Sequence, residues 1–121
     1  MSHDLPFQRE ANFIGGEWIG ADDGATFDVL NPANGDVIGT VPSVGVAETR
    51  RAIAAADKAF PAWSTSTAAS RATILRRLAD AIEANQEDLA HLLTTEQGKA
   101  LTEARAEVGA SANYVRWFAE E

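Results

Sequence analysis

The 121-residue chain contains no cysteine. That absence removes disulfides, thiolate metal ligands and a cysteine nucleophile from this stretch of polypeptide. Histidine is nearly as scarce, at two residues. His3 lies in a start, residues 1–10, expected to be disordered, and His91 falls on the polar side of a helix, where solvation is expected. Neither supplies the base and orienting group that a nucleophile needs. Basic charge is short as well: 10 Lys and Arg against 18 Asp and Glu leave a net charge of −8. That balance argues against nucleic acid or an anionic membrane as a partner. No apolar run approaches the roughly 20 residues of a membrane span. The opening "MSHDLPFQREANF" has no basic stretch leading into an apolar one, so the expected setting is cytoplasmic. The glycines form no Gly-x-Gly-x-x-Gly and no phosphate-binding loop. The acids lack the spacing of a metal or glycosidase site, and Lys99 shows no sign of a Schiff-base pocket. Taken alone, these spacings name no reaction.

What is present is an ordinary globular composition, 45% apolar and 23% charged, enough for one domain with a core. The chain divides near residue 45. Before that point, turn residues punctuate short β-prone runs. "NFIGGEWIG" predicts a hairpin through Gly15-Gly16. "ATFDVLNPANGDVIGTV" predicts a second, with strands near Thr26–Leu30 and Val37–Val41, and with Gly35 as the position of positive φ in its turn.

After residue 45 the apolar period lengthens from 2 to 3.6. Val46, Thr49, Ile53, Ala56 and Phe60 share one face of a first helix, which Pro61 is expected to end. Thr67 is the expected N-cap of a second helix, about Ala68 to Glu83, with Ile74, Leu75, Leu78 and Ile82 as its buried stripe. Asn85 is expected to cap a third, whose first turn carries the acids favoured by the helix dipole, and Gly98 to close it. A fourth begins near Lys99 or Ala100 and has no closing signal, which suggests a chain truncated within a helix.

Two features fit a plain helical cluster poorly. Glu96 follows Leu89, Leu92 and Leu93 on their own face of the third helix. A carboxylate there either reaches solvent or an arginine past the helix end, or it is paired or holds a cation, because a bare buried charge costs several kcal/mol. In the fourth helix, Leu101, Ala104, Val108, Ala112, Val115 and Ala119 form one apolar face. Ala106, Ala110, Tyr114 and Trp117 form a nearly opposite one, with Phe118 between. A helix apolar on two sides needs cover on two sides. The second cover is an absent part of the chain, a partner or a ligand, unless the face is merely an untidy surface. Gly109, mid-helix, is expected to mark close approach by a neighbour, since it costs about 1 kcal/mol relative to Ala.

The order of the pieces resembles a known family. "FIGGEW", "NPANGDVIGTVP", "AIAAADKAFPAW" and "RATILRRLADAIEANQEDLAHLLTTEQGK" are similar to the front of the aldehyde dehydrogenase superfamily, from about Ala11 to Glu121. "DLAHLLTTEQGK", "LTEA" and "WFAEE" are most similar to its succinate-semialdehyde dehydrogenase group. The resemblance implies an α/β enzyme with a Rossmann-type cofactor domain. Residues 11–121 would be its N-terminal portion, two β-hairpins followed by about four helices. It also implies NAD or NADP as cofactor, a small-molecule aldehyde as substrate and a homo-oligomer, dimer or tetramer. The family's cysteine, general-base glutamate, oxyanion asparagine and cofactor glycines would all lie beyond Glu121.

By position, the resemblance assigns the Val29 and Leu30 carbonyls and Glu96 to a structural monovalent cation, a hard ion suited to oxygen ligands. It assigns Ala106, Ala110 and Tyr114 to the border of the aldehyde tunnel. The chain departs from the semialdehyde group at Ala100, where Pro is common, at Ala106, where Gly is common, and at Ala110, near which an aromatic is common. The resemblance implies succinate semialdehyde as substrate, with glutarate semialdehyde or betaine aldehyde as alternatives; a smaller Ala110 widens the entrance and would suit a bulkier aldehyde than a short dicarboxylic semialdehyde. A non-catalytic helical interaction module, using the face around Trp117, is the alternative from another class.

Overall fold

The computed structural model describes residues 7–121, with the order β1 (Asn12–Ile14), β2 (Glu17–Ile19), β3 (Thr26–Leu30), β4 (Val37–Pro42), α1 (Val46–Ser64), α2 (Ala68–Ala84), α3 (Gln86–Gln97) and α4 (Leu101–Glu120). Two hairpins followed by four helices is the arrangement expected for this segment. Of the start expected to be disordered, residues 1–6, His3 among them, lie outside the described residues. Residues 8–10 do not: the Gln8 side chain donates to the Ile38 carbonyl (2.7 Å) and Glu10 accepts from the Thr40 N–H (3.0 Å).

β1 and β2 pair antiparallel through Gly15 and Gly16, both at positive φ (62° and 90°). Two consecutive positive φ values make the tight primed turn that matches strand twist. Phe13 and Trp18 face each other across it, ring centroids 5.1 Å apart, and the Arg9 guanidinium lies 5.9 Å over the Trp18 ring. In the second hairpin, Asn31 organises the turn. Its side chain accepts from Ala33 N–H (2.9 Å), its carbonyl from Gly35 N–H (2.8 Å), and Gly35 sits at φ 79° as expected. The register steps from Val29↔Gly39 to Leu30↔Val37, leaving Ile38 as an extra, bulged residue.

α1 starts at Gly45, and Glu48 anchors that start. One carboxylate oxygen accepts from Gly45 N–H (3.1 Å), the other from Asp22 N–H (3.2 Å) in the β2–β3 loop, and Arg51 pairs with Asp22 at 2.5 Å. Glu48 is only 9% exposed. The peptide N–H groups of Glu48 itself, Asp22 and Gly45 hold its carboxyl below the ordinary glutamate range.

Pro61 does not end α1, which continues to Ser64. Its ring removes one N–H, but its carbonyl accepts from the Thr65 N–H (3.1 Å) and from the Ser64 and Thr65 hydroxyls, which closes a last turn. Thr67 caps α2 as expected, accepting from Ser70 N–H at 3.2 Å. Asn85 instead turns its amide back to the Ala81 carbonyl (2.7 Å), so it serves the end of α2 and gives α3 no side-chain cap. Gly98 closes α3 in the left-handed region at φ 77°.

The helical core is built of small side chains. Ala79, Ala90, Ala104 and Ala112 are fully buried, and Ile82, Leu89, Leu93 and Leu101 pack partly buried beside the α3–α4 seam. The expected inner face of α4 holds. The face that Val46, Thr49, Ile53, Ala56 and Phe60 share in α1 is exposed, with Ile53 and Phe60 each at 63%. Ile74 and Leu78 of α2 are also exposed, while Leu75 and Ile82 are half-buried. α1 turns Ala52 and Ala55 towards the first hairpin, where they border the same hollows as Phe13 and Ile14. Its larger apolar side chains find no cover among the described residues. Gly109 marks a close approach, as expected. A methyl group there would come within 3.3 Å of the Gln86 amide nitrogen, which donates to the Arg105 carbonyl (2.9 Å).

Two outcomes follow from these contacts. A methyl group at Gly98 would come within 2.9 Å of Pro32 Cγ, and φ there is already positive. Gly98→Ala is expected to cost about 1–2 kcal/mol from backbone strain alone, with the clash adding to it. Thermal unfolding measures this, and an unchanged Tm would contradict it. For Glu48, a depressed folded pKa stabilises the fold fully above the ordinary glutamate pKa, about 4.3, and the contribution is lost as pH falls through the folded value. Glu48→Gln is therefore expected to lower Tm at neutral pH, with the gap closing in acid. A gap independent of pH would refute this reading of Glu48.

Candidate functional site

Two regions hold the residues singled out in the sequence. The first lies where α3 ends on the second hairpin. Gly98 brings that end against Pro32, immediately after β3. Val29 and Glu96 then border one cavity of about 300 Å³, together with Trp18, Ile38, Gly39 and Leu92. Leu30 is adjacent in the chain, at the bulge, but does not line this cavity. Glu96 is exposed rather than turned into a core. The physical reason is its place at the last turn of α3, past the point where Leu92 and Leu93 are half-buried. Among the described residues no three of His, Asp and Glu converge as metal ligands. A cation here would therefore depend on backbone carbonyls beside Glu96.

The second region is the outer face of α4. Ala110, Asn113, Tyr114, Trp117 and Phe118 line an apolar hollow of about 460 Å³. Tyr114, Trp117 and Phe118 are 70%, 58% and 59% exposed. Trp117 and Phe118 meet edge to face, centroids 4.9 Å apart. Ala106 is exposed one turn before Ala110 but is not part of the hollow's lining. The structure thus brings Ala110 and Tyr114 together and leaves Ala106 at the edge. Asn113, absent from the set singled out in the sequence, belongs to the same wall. Its signal was there: Asn is a weak helix former in mid-helix, and seven residues after Ala106 it returns to the same face.

Ion pairs link α4 to α2 and α3. Arg105 grips Glu87 of α3 through two nitrogens (2.8 and 2.9 Å), a geometry that keeps the Glu87 carboxyl low and the Arg105 guanidinium high. Arg116 bridges Asp80 (2.8 Å) and Glu83 (2.7 Å) of α2, and Arg76 pairs with Glu120 (2.9 Å). Lys99 pairs with Glu107. Arg105, Arg116 and Glu120 thus form a polar clasp. His91 is half-buried and partnered rather than solvated, and its charge adds to the lowering at Glu87.

Residues 18–121 match the family described as Aldehyde dehydrogenase family. Glutarate-semialdehyde dehydrogenase of Pseudomonas putida is 55% identical over 118 residues, covering 98% of this chain and 25% of the relative. Succinate-semialdehyde dehydrogenase, the NADP(+) enzyme GabD of Escherichia coli, is 51% identical, covering 93% of this chain and 23% of the relative. The crystal structure of succinate-semialdehyde dehydrogenase from Burkholderia pseudomallei superposes with a TM-score of 0.91 at 51% identity, covering 99% of this chain and 25% of that one. The chain spans about a quarter of the length of the curated relatives it matches.

Proposed function

This chain belongs to the aldehyde dehydrogenase family, and on that premise we propose that it forms part of an NAD(P)-dependent enzyme that oxidises a dicarboxylic semialdehyde to the acid. The observation that carries the reading is the outer face of α4, where Tyr114, Trp117 and Phe118 stand exposed opposite the buried Ala104, Val108 and Ala112. Carbon surface of that kind stays in solution only when something else is built to lie against it. A self-sufficient interaction module would account for the face, but not for a family match over residues 18–121.

Within the proposed enzyme, Ala106, Ala110 and Tyr114 border the path of the aldehyde. Nicotinamide would accept the hydride. No glycine-rich turn in this chain suits it, so its contacts belong to the remaining three quarters of an enzyme of the relatives' length. The same holds for a cysteine nucleophile, since this chain has none. The Val29 and Leu30 carbonyls with Glu96 would hold a structural monovalent cation, a reading supported by the cavity Val29 and Glu96 share and by the bulge opposite Val29 and Leu30. Glutarate semialdehyde is favoured over succinate semialdehyde by the higher identity to the glutarate-named relative, 55% against 51%, and by the short side chain of Ala110. The enzyme is proposed to be a cytoplasmic homo-oligomer.

The full-length enzyme, assayed by nicotinamide absorbance, is expected to turn over glutarate semialdehyde with a higher kcat/KM than succinate semialdehyde or betaine aldehyde. No aldehyde-dependent reduction of either cofactor would sink the assignment. Ala110→Trp is expected to raise KM for glutarate semialdehyde about tenfold, or about 1.4 kcal/mol; unchanged kinetics would remove α4 from the substrate path. For the cation, Glu96→Gln is expected to abolish any rise of Tm with potassium or sodium concentration. A mutant that retains the parent's ion dependence would refute the site.

A further inference from the structure

The turn of the second hairpin contains Asn34-Gly35, a side-chain amide followed by the least hindered peptide nitrogen a chain can offer. Asparagine is among the thermolabile residues, and glycine, having no Cβ, leaves the next nitrogen open to attack the amide carbon. Here that nitrogen is restrained. Its N–H must give up a proton before it becomes a nucleophile, and it donates instead to the Asn31 carbonyl at 2.8 Å. The electrophile is restrained as well. Asn34 Nδ2 donates to the Asp36 carboxylate (2.7 Å), and Asn34 Oδ1 accepts from the Asp36 N–H (3.0 Å). With both ends tied to one residue, the amide cannot swing freely about its Cβ–Cγ bond. The Asp36 carbonyl accepts from the Asn31 N–H (2.8 Å), so the same residue also closes the turn around the reactive pair.

We propose that Asn34 is a site of spontaneous deamidation that the folded turn holds back, with Asp36 as the latch. In the reaction the Gly35 nitrogen bonds to Asn34 Cγ, the Cγ–Nδ2 bond breaks, and the amide departs as ammonia carrying the Gly35 proton. Water then opens the cyclic imide at either carbonyl, leaving aspartate at position 34 or its isoaspartyl isomer. Nothing is oxidised or reduced. Either product loses the Nδ2 donor and sets a second carboxylate beside that of Asp36. The isoaspartyl form also adds a carbon to the main chain ahead of Gly35, which draws its N–H away from Asn31. Pro32 stands in the same turn, against Gly98, so the change is made beside the junction between hairpin and helix.

The test follows conversion at Asn34 by peptide mass spectrometry in the full-length enzyme, incubated in mildly alkaline buffer with and without urea. In urea the parent, Asp36→Ala and Asp36→Asn are expected to convert at one rate, since no turn survives to restrain them. Folded parent is expected to convert about tenfold more slowly, because local opening must precede attack. Asp36→Ala, which removes the acceptor for Nδ2, is expected to speed the folded reaction about fivefold. Asp36→Asn keeps an acceptor oxygen and is expected to restore the parent's rate. Asp36 is exposed, so both variants should keep the parent's Tm. No conversion at Asn34 in urea would overturn the site. Equal rates in folded and unfolded parent, or a folded Asp36→Ala no faster than the parent, would overturn the latch.

Discussion

The contact of Gly98 with Pro32 joins the two halves of this structure. One residue is the left-handed close of a helix; the other opens the turn of a hairpin. Glycine is required twice over there, by its φ of 77° and by the nearness of the proline ring. Because the two meet, the end of α3 comes beside the second hairpin, and Glu96 shares a cavity with Val29, 67 positions earlier in the chain. A second tie, Glu48 to Asp22, joins the start of α1 to the β2–β3 loop, one carboxylate accepting from two peptide groups of different segments.

Much of this was legible because the deciding forces act over a few residues. Gly15-Gly16 demanded a primed turn, Gly35 a positive φ, Thr67 a cap, and the inner stripe of α4 a partner. Each need is met within reach of the residue that expresses it. The resemblance to a family likewise rested on ordered local motifs, and the family match covers residues 18–121.

The misreadings share a different cause. Pro61 was read by the restriction it places on Phe60, whereas the outcome turned on the bonds its carbonyl accepts. Asn85 has two helix ends within reach and serves the earlier one. The stripe of α2 was assigned to a core, yet Ile74 and Leu78 remain exposed, as do Ile53 and Phe60 on the apolar face of α1. Periodicity shows that a face is apolar and says nothing of which segment covers it. Glu96 takes the solvent-facing alternative that the sequence left open, because an apolar stripe, extended by one turn, runs past the end of its own core. Asn113 escaped notice because apolar patterning is blind to a single amide.

The helical core is made of alanines, and α4 carries Ala112 at zero exposure directly beside Asn113 in sequence. This helix is a partition one residue thick. Any enlargement on the hidden side has no slack to absorb it and must push the opposite side outward by a comparable amount. A larger residue at Ala79, Ala104 or Ala112 would therefore be felt on a surface that these side chains never touch.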